Sequence, residues 1–250
     1  MSSQQTPSNI ELREVTTRDV FDRVTDVIWT ASHDPYNSHF GALHPTHGFT
    51  EADREEDKKA ESERKWAEHE RNPPSHWIYA VDISTDQVVG CAEWMIYAKN
   101  PFPNGPLPIP CRHYPEGSEA AKYVSLFLSQ AFYPHMCWMA RPHGALMALA
   151  VVPGHRNRGI GRMLMQWGHE RIDPLGYESF IEGSVLGRWL YERCGYRRLM
   201  DIYPNMDVKS PSDEWIRLRH QWKPPVIGLF WRPPRGEFTD STPHGPWEIT

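Results

Sequence analysis

The chain predicts a mixed α/β domain built on one central sheet, and three observations carry that prediction. Two runs rich in apolar and β-favouring residues, 77–83 and 88–97, are split by Ser84-Thr85-Asp86-Gln87 and read as a hairpin. A stronger apolar run, 146–152, stops at Pro153, passes through a turn rich in Gly and Arg, and restarts with helical spacing at Ile160. Along the whole chain, strand and helix patterns follow one another as strand, helix, strands, strand, helix, strand, helix, strand, the order of a mixed sheet flanked by helices.

Each element has its own signal. Residues 10–15 alternate apolar and polar like a half-buried strand. Thr16-Thr17-Arg18-Asp19 has the spacing of a helix-start capping box, and Val20, Val24, Val27 and Ile28 follow at helical intervals to about Ser32. Residues 33–49 hold Gly, Pro, Asn and four histidines and read as a loop. Residues 50–71 carry nine acidic and six basic side chains with little apolar stripe beyond Trp66, which predicts a solvated helix ended by Asn72-Pro73-Pro74. Five prolines in residues 101–110 mark irregular chain. Residues 118–139 have helical spacing through Ala121, Val124, Phe127, Leu128 and Ala131, with Pro134 expected to kink or end the helix. After the central strand comes a helix over 159–172, buried through Ile160, Met163, Leu164 and Trp167, and closed by Asp173-Pro174-Leu175-Gly176. A strand at 179–183, a short helix at 186–194 capped by Gly195, and strands at 196–203 and 227–232 complete the series. The domain layout is a disordered tail at 1–9, one domain at 10–234 with an insertion at about 99–140, and a polar C-terminal tail at 235–250.

Bulk properties exclude several classes. With 250 residues, 39% hydrophobic and 24% charged, the chain is ordinary for a soluble globular protein. A net charge of −5 offers no basic field for nucleic acid. No apolar run approaches the ~20 residues that cross a bilayer, and residues 1–9 lack the regions of a secretory signal. Cys91, Cys111, Cys137 and Cys194 form no Cys-x-x-Cys pair, so free thiols in a reducing cytoplasm are expected, with neither a disulfide framework nor a metal site. His39, His44 and His47 are close in sequence, yet a metal would need a further ligand and a defined geometry, and a loop is the simpler reading. The 23 prolines and 11 tryptophans point to rigid loops and either a wide apolar pocket or a Trp-rich core.

The turn after the central strand carries the chemistry. Backbone N–H groups in the first turn of a helix lack internal partners and mark the positive end of its dipole. Gly159 and Gly161 leave no side chain in the way, so a phosphate can approach the backbone, and Arg156, Arg158 and Arg162 add charge. The triphosphatase loop is excluded, because no Lys-Ser or Lys-Thr follows a glycine loop. A dinucleotide fingerprint matches at Gly159 and Gly161 but fails at Leu164, although Glu178 follows at about the right distance. A plain glycine turn before a surface helix is the remaining alternative.

Arg156-Asn157-Arg158-Gly159-Ile160-Gly161 resembles the Arg/Gln-x-x-Gly-x-Gly/Ala signature of the GNAT acyl-CoA N-acyltransferases. Further on, Gly183-Ser184-Val185-Leu186-Gly187-Arg188-Trp189-Leu190-Tyr191, ending at Gly195-Tyr196, resembles that family's second motif, Ala-Ser-x-x-Gly-x-x-Leu-Tyr-x-x-x-Gly-Phe, with Gly183 in place of Ala and Tyr196 in place of Phe. The resemblance implies a sheet splayed between its fourth and fifth strands, here 146–152 and 179–183. Acetyl-CoA would lie in the splay, with its pantetheine amides on the backbone near Val151 and Val152 and its pyrophosphate on residues 156–162. It implies direct attack by an acceptor amine, with Tyr191 as the acid that protonates the leaving thiolate; a packing role for Tyr191 is the competitor. Ser184 would touch the cofactor, order Tyr191 or cap the short helix.

The resemblance does not supply the base. Glu93 sits in the apolar run Cys91-Ala92-Glu93-Trp94-Met95, where desolvation can raise its pKa. Glu182, His143 and a chain of water are the alternatives. In the resembled family the segment after the first helix shapes the acceptor site, so Trp29, Tyr36, Phe40 and Trp94 are candidate pocket residues, with ordinary core packing as the competitor. The expected function is transfer of an acetyl group to a primary amine of a small molecule, without metal, nucleic acid or membrane partners, by a monomer or homodimer. A peptide or protein amine acetyltransferase and a GNAT-fold acyl-CoA-binding protein without turnover are the alternatives.

Overall fold

A computed structural model describes residues 9–48 and 50–249; apart from Asn9, the tail expected at 1–9 lies outside the described residues. Seven strands form one sheet in the order β1-β2-β3-β4-β5-β7-β6. They are β1 (Ile10–Glu14), β2 (Ser75–Asp82), β3 (Gln87–Tyr97), β4 (His143–Val151), β5 (Glu178–Ser184), β6 (Arg197–Ile202) and β7 (Ile227–Arg232). β1 to β4 run antiparallel, β4 and β5 are parallel, and β5, β7 and β6 are again antiparallel. Among the described residues, seven α-helices accompany them: α1 (Arg18–His33), α2 (Phe40–Leu43), α3 (Glu51–Glu70), α4 (Glu119–Trp138), α5 (Ile160–Ile172), α6 (Arg188–Arg193) and α7 (Asp213–Gln221).

The two faces of the sheet are covered by different helices, and β3 shows which is which. Successive side chains of a strand point to opposite faces. Cys91 Sγ lies 4.0 Å from the Val24 carbonyl of α1, whereas a Cβ on Gly90 would meet Ile160 and Leu164 of α5. We call these the front and back faces. Glu93 and Tyr97 share the front face with Cys91; Trp94 shares the back face with Gly90. The front of the C-terminal half is an apolar cluster of Tyr123, Val124 and Phe127 from α4, Trp215 and Leu218 from α7, and Phe180, Leu229 and Trp231 from the sheet.

Three local expectations change. The N-cap of α1 is Thr17, not Thr16, and its side chain makes no cap, whereas a full capping box opens α3 through Thr50 and Asp53. α3 is not solvated all round, because Asp57, Glu61 and Ser62 are buried. Its charge pattern hid an inner ionic face: Glu61 accepts from the Trp29 indole at 3.0 Å and from His44 Nδ1 at 2.8 Å, and Lys65 is 3.8 Å away. α4 covers the helix read at 118–139 and does not end at Pro134, where a kink or an end is expected. Proline removes only the bond to the Gln130 carbonyl, and the last turn is held by burial of His135 and Met136. α2 falls within the segment read as a loop, and α7 is not among the elements read from the sequence, although Trp215, Leu218 and Trp222 recur at helical spacing after the N-cap Ser212.

The chain between β3 and α4 is fastened down. Ile109 and Cys111 N–H groups donate to Ser129 and Ser125 of α4, the Tyr114 hydroxyl donates to the Gly41 carbonyl, and His113 reaches the Ala42 carbonyl of α2. The C-terminal segment is also packed: Arg141 donates to the Pro246 and Ile249 carbonyls, and Trp247 meets Trp138 edge-on. Among the described residues no helix is long and apolar enough to cross a membrane.

Candidate active site

The parallel pair β4 and β5 stays together for only four residue pairs, His143 with Glu178 through Leu146 with Ile181. Beyond that, β4 pairs only with β3 and β5 only with β7. A bulge marks the parting. Trp94 pairs with Leu146 and Glu93 with Ala148, so Met147 is the extra residue on β4. Val152 N–H is spent on the Val89 carbonyl at 3.0 Å. By the alternation of an antiparallel ladder, Leu149 and Val151 therefore turn their backbone groups to the open edge. Of the two valines read from the sequence, Val151 faces the gap and Val152 does not; Leu149 joins it.

At the end of β4 the chain turns through Pro153–His155 into α5, whose N-cap is Gly159 at φ +86°, a left-handed conformation that glycine adopts without strain. The N–H groups of Ile160, Gly161 and Arg162 begin the helix. Gly161 is needed for packing as well, since a Cβ there would lie 3.0 Å from Leu190 of α6. The Arg side chains divide. Arg156 gives its guanidinium to backbone carbonyls, Val151 at 3.0 Å, Ala31 at 3.0 Å and Asp34, so it ties the loop to the end of α1. Arg158 contacts His155 at 2.7 Å, and Arg162 is exposed. Asn157 is exposed at φ +58°.

On the back face of the gap stands Tyr191 of α6. Its ring lies against Gly183: a Cβ there would be 2.4 Å from Cε2 of the tyrosine, which explains the glycine where the resembled motif has alanine. The ring also meets Phe230 edge-on at 5.1 Å. Its hydroxyl sits against Gly187 with no hydrogen-bond partner among the described residues, and burial pushes its pKa up to about 12. Ser184 is exposed at the end of β5 and does not cap α6, whose N-cap is Gly187.

On the front face are the titratable groups. Glu93 lies opposite the bulge and is part-buried; burial first, and Glu68 after it, push its carboxyl up against the pull of Lys65, Ser75 and Trp77. Ser75 donates to Glu93 Oε1 at 2.8 Å. Burial first, then the charges of Glu93 and Glu182, raise Tyr97 to about 12.

Glu182 belongs to a second line. His143 Nδ1 is 2.7 Å from the Arg141 carbonyl, which can only accept, so that nitrogen carries a proton. Burial and the neighbouring His135 hold His143 down to about 3, so it is neutral and its Nε2 is bare. His135 Nε2, 2.8 Å away, is therefore the donor. His135 Nδ1 and Glu182 Oε1 meet at 2.8 Å, at ion-pair distance but without hydrogen-bond alignment.

The structure thus places Glu93 and Glu182 on the front face where the strands part, His143 on the same face at the first pair of the joined stretch, and Tyr191 on the back face. Trp29 and Phe40 pack edge-on at 5.1 Å, both buried beside Glu61, and Tyr36 is exposed. Trp94 is on the wrong face for an acceptor pocket: it is fully buried against Gly168, and its indole donates to the Leu164 carbonyl at 3.1 Å. Sequence reasoning missed Tyr97, Ser75 and His135. His135 lies one residue past Pro134, inside the helix read at 118–139, but neither motif marked it.

A model of the acetyltransferase (GNAT) family matches residues 43–196. No curated protein matches. Solved structures share the fold at low identity. Mosquito arylalkylamine N-acetyltransferase like 5b is 15% identical with a TM-score of 0.53, covering 90% of this chain and 99% of that one. An agmatine N-acetyltransferase is 17% identical with a TM-score of 0.51 and the same coverage, 90% and 99%. A "histone acetyltransferase HPA2 and related acetyltransferase" from Corynebacterium glutamicum is 18% identical with a TM-score of 0.51, covering 94% and 99%. With its family model spanning more than half of its length, a parallel pair that parts at a bulge, and a glycine-capped turn after the central strand, the chain belongs to the GNAT family of acetyltransferases.

Proposed function

We propose that the protein moves an acetyl group from acetyl-CoA to a primary amine of a small molecule by direct attack. The open edge of β4, at Leu149 and at the N–H of Val151 whose carbonyl already accepts from Arg156, would hold the pantetheine arm as an added strand, and the N–H groups of residues 160–162, with Arg158 and Arg162, would hold the pyrophosphate. Arg156 is left out of that set because its guanidinium is occupied. Glu93 takes the proton from the attacking nitrogen as the N–C bond forms. The C–S bond breaks with its pair on sulfur, and Tyr191 donates a proton to the thiolate. Glu182 is the second candidate for the role of base, and the His135 ring nitrogen 2.8 Å from its Oε1 occupies the approach to that oxygen, which favours Glu93.

The observation that carries this reading is the register of Glu93 opposite the bulge where β4 leaves β5. Preference for a small acceptor is supported by the front side, where the chain fastened to α2 and α4 brings Phe102 to 5.3 Å from the His135 ring. The test pairs calorimetry of coenzyme A with thiol release from acetyl-CoA over a panel of amines. Coenzyme A should bind wild type and Glu93→Gln alike, while Glu93→Gln loses about 10²–10⁴-fold in kcat, the range for a positioned proton acceptor. Absence of coenzyme A uptake, or full activity in Glu93→Gln, overturns it.

A further inference from the structure

A base that takes a proton at every turnover must also lose it. Two buried polar lines leave the front of the gap, and they end differently. The line from Glu182 through His135 and His143 stops at the Arg141 carbonyl, which has no proton to exchange, so it orients groups but exports nothing. The line from Glu93 runs outward. Ser75, buried at the first position of β2, donates its only proton to Glu93 Oε1 at 2.8 Å. Its oxygen lies 3.0 Å from His69 Nδ1 and therefore accepts from that nitrogen. His69 is half-buried in the last turn of α3, between the exposed residues Glu68 and Glu70.

We infer that Glu93, Ser75 and His69 form the proton exit of the acceptor site. The inference rests on the reading of Glu93 as base. Glu93 takes the amine proton and becomes a carboxylic acid. Its O–H donates to Ser75, the Ser75 proton passes to a bare His69 Nδ1, and the imidazolium sheds its Nε2 proton to water. What remains is an ionised Glu93, Ser75 turned toward it, and His69 protonated on Nδ1, which is the state compatible with both hydrogen bonds. Exchange with water moves the imidazole proton back to Nε2 for the next cycle. One proton enters from the amine and one leaves to solvent.

The surroundings suit each end. Around Glu93 lie Lys65 and Glu68 of α3, Ser75 and Trp77 of β2, and Cys91 and Tyr97 of β3. Around His69 lie Trp66, at 5.6 Å, and Glu70 of α3, and His76 of β2. Burial outweighs Glu70 and holds His69 below its ordinary value, so near pH 7 it is neutral and able to receive.

The experiment measures thiol release from acetyl-CoA, with the best acceptor from a panel of 2-phenylethylamine, tryptamine, spermidine and lysine methyl ester. The proteins are wild type, Glu93→Gln, Ser75→Ala, Ser75→Thr, His69→Ala and His69→Gln, each checked by near-UV circular dichroism. Ser75→Ala and both His69 variants should lose about tenfold or more in kcat at unchanged amine KM, below the loss for a group that touches the nitrogen itself. Ser75→Thr should keep the rate, and added imidazole should restore His69→Ala in proportion to its concentration. Wild-type kcat in folded His69→Ala and Ser75→Ala, or a loss that neither imidazole nor Ser75→Thr repairs, overturns the exit while Glu93→Gln still reports the base. Full activity in Glu93→Gln, or no turnover with any amine of the panel, overturns the reading of the base and the exit with it.

Discussion

Gly183→Ala puts one methyl group where Tyr191 stands. The new Cβ would lie 2.4 Å from Cε2 and 3.2 Å from both Cδ2 and Cζ of the ring. Carbon atoms pack at about 3.5–4.0 Å, so the ring must retreat by about 1 Å. It has little room: Phe230 meets its face at 5.1 Å, and a Cβ on Gly187 would be only 2.4 Å from its hydroxyl, so the turn before α6 blocks the far side. Overpacking of this kind costs about 1–3 kcal/mol, a fall of roughly 0.5–1 M in urea midpoint for a protein of this size. A displacement of about 1 Å at a proton donor also costs about 10²-fold in rate. Urea unfolding and thiol release read the two effects separately. Gly183→Ala combined with Tyr191→Leu should recover part of the stability and none of the rate, because the crowding is relieved while the hydroxyl is gone. A Gly183→Ala protein with the wild-type midpoint and wild-type kcat would refute both the packing and the role given to Tyr191.

Three further outcomes follow from the same geometry. Trp94→Phe should lower stability by about 1–3 kcal/mol through the lost bond to Leu164 and looser packing on Gly168, and leave the amine KM unchanged; a KM change without a stability loss would place Trp94 in the acceptor pocket. Arg162→Ala should weaken coenzyme A binding in calorimetry more than Arg156→Ala does, whereas Arg156→Ala should lower the melting temperature more; the reverse order would return Arg156 to the phosphate. Glu61 supplies acid-sensitive stability. Burial pushes its carboxyl up, and donation from His44, the charge of Lys65 and the Trp29 indole outweigh that, holding it at about 2 against an ordinary 4.5. A lowered carboxyl contributes fully above its unfolded value, so about 3 kcal/mol should be present above pH 5 and be lost as pH falls toward 2. Urea midpoints of wild type and Glu61→Gln should therefore converge in acid; a constant gap from pH 6 to pH 3 contradicts the assignment.

What was legible in the sequence follows from how locally each feature is encoded. Periodicity and glycine turns are local, so β7 was read at its observed bounds and α5 to within a residue, and the two motifs located the gap and its glycine-capped turn. Which face a side chain takes within a strand buried on both sides is not local. Glu93 and Trp94 are neighbours in one apolar run, and only the helices packed above and below separate a titratable front from a packed back. The same limit hid the inner face of α3. Its nine acids look solvated, and it took Trp29 and His44, 32 and 17 residues away in sequence, to make Glu61 an interior anion. His135 depends on α4 continuing past a proline, which burial of the following turn decides.

That separation of faces bears on how acid and base can work together. A strand buried on both sides keeps its two faces apart, so a proton donor on α6 and an acceptor on β3 would ordinarily never share a substrate. Here β4 and β5 part after four residue pairs, and the bulge at Met147 sits at the parting. On the proposed reading, the sulfur is approached from the back, where Tyr191 is wedged between two glycines, and the nitrogen from the front, where Glu93 leads to Ser75 and His69. Neither proton then crosses the other's path, and the thiolate cannot recapture the proton just taken from the amine. The absent side chain of Gly183 also admits the tyrosine ring at the strand that borders the gap on the far side. A variant that re-paired β4 with β5, by deleting Met147 to remove the bulge, should therefore keep the fold and lose transfer altogether, and residual transfer in that deletion would argue that the gap is not where the two faces meet.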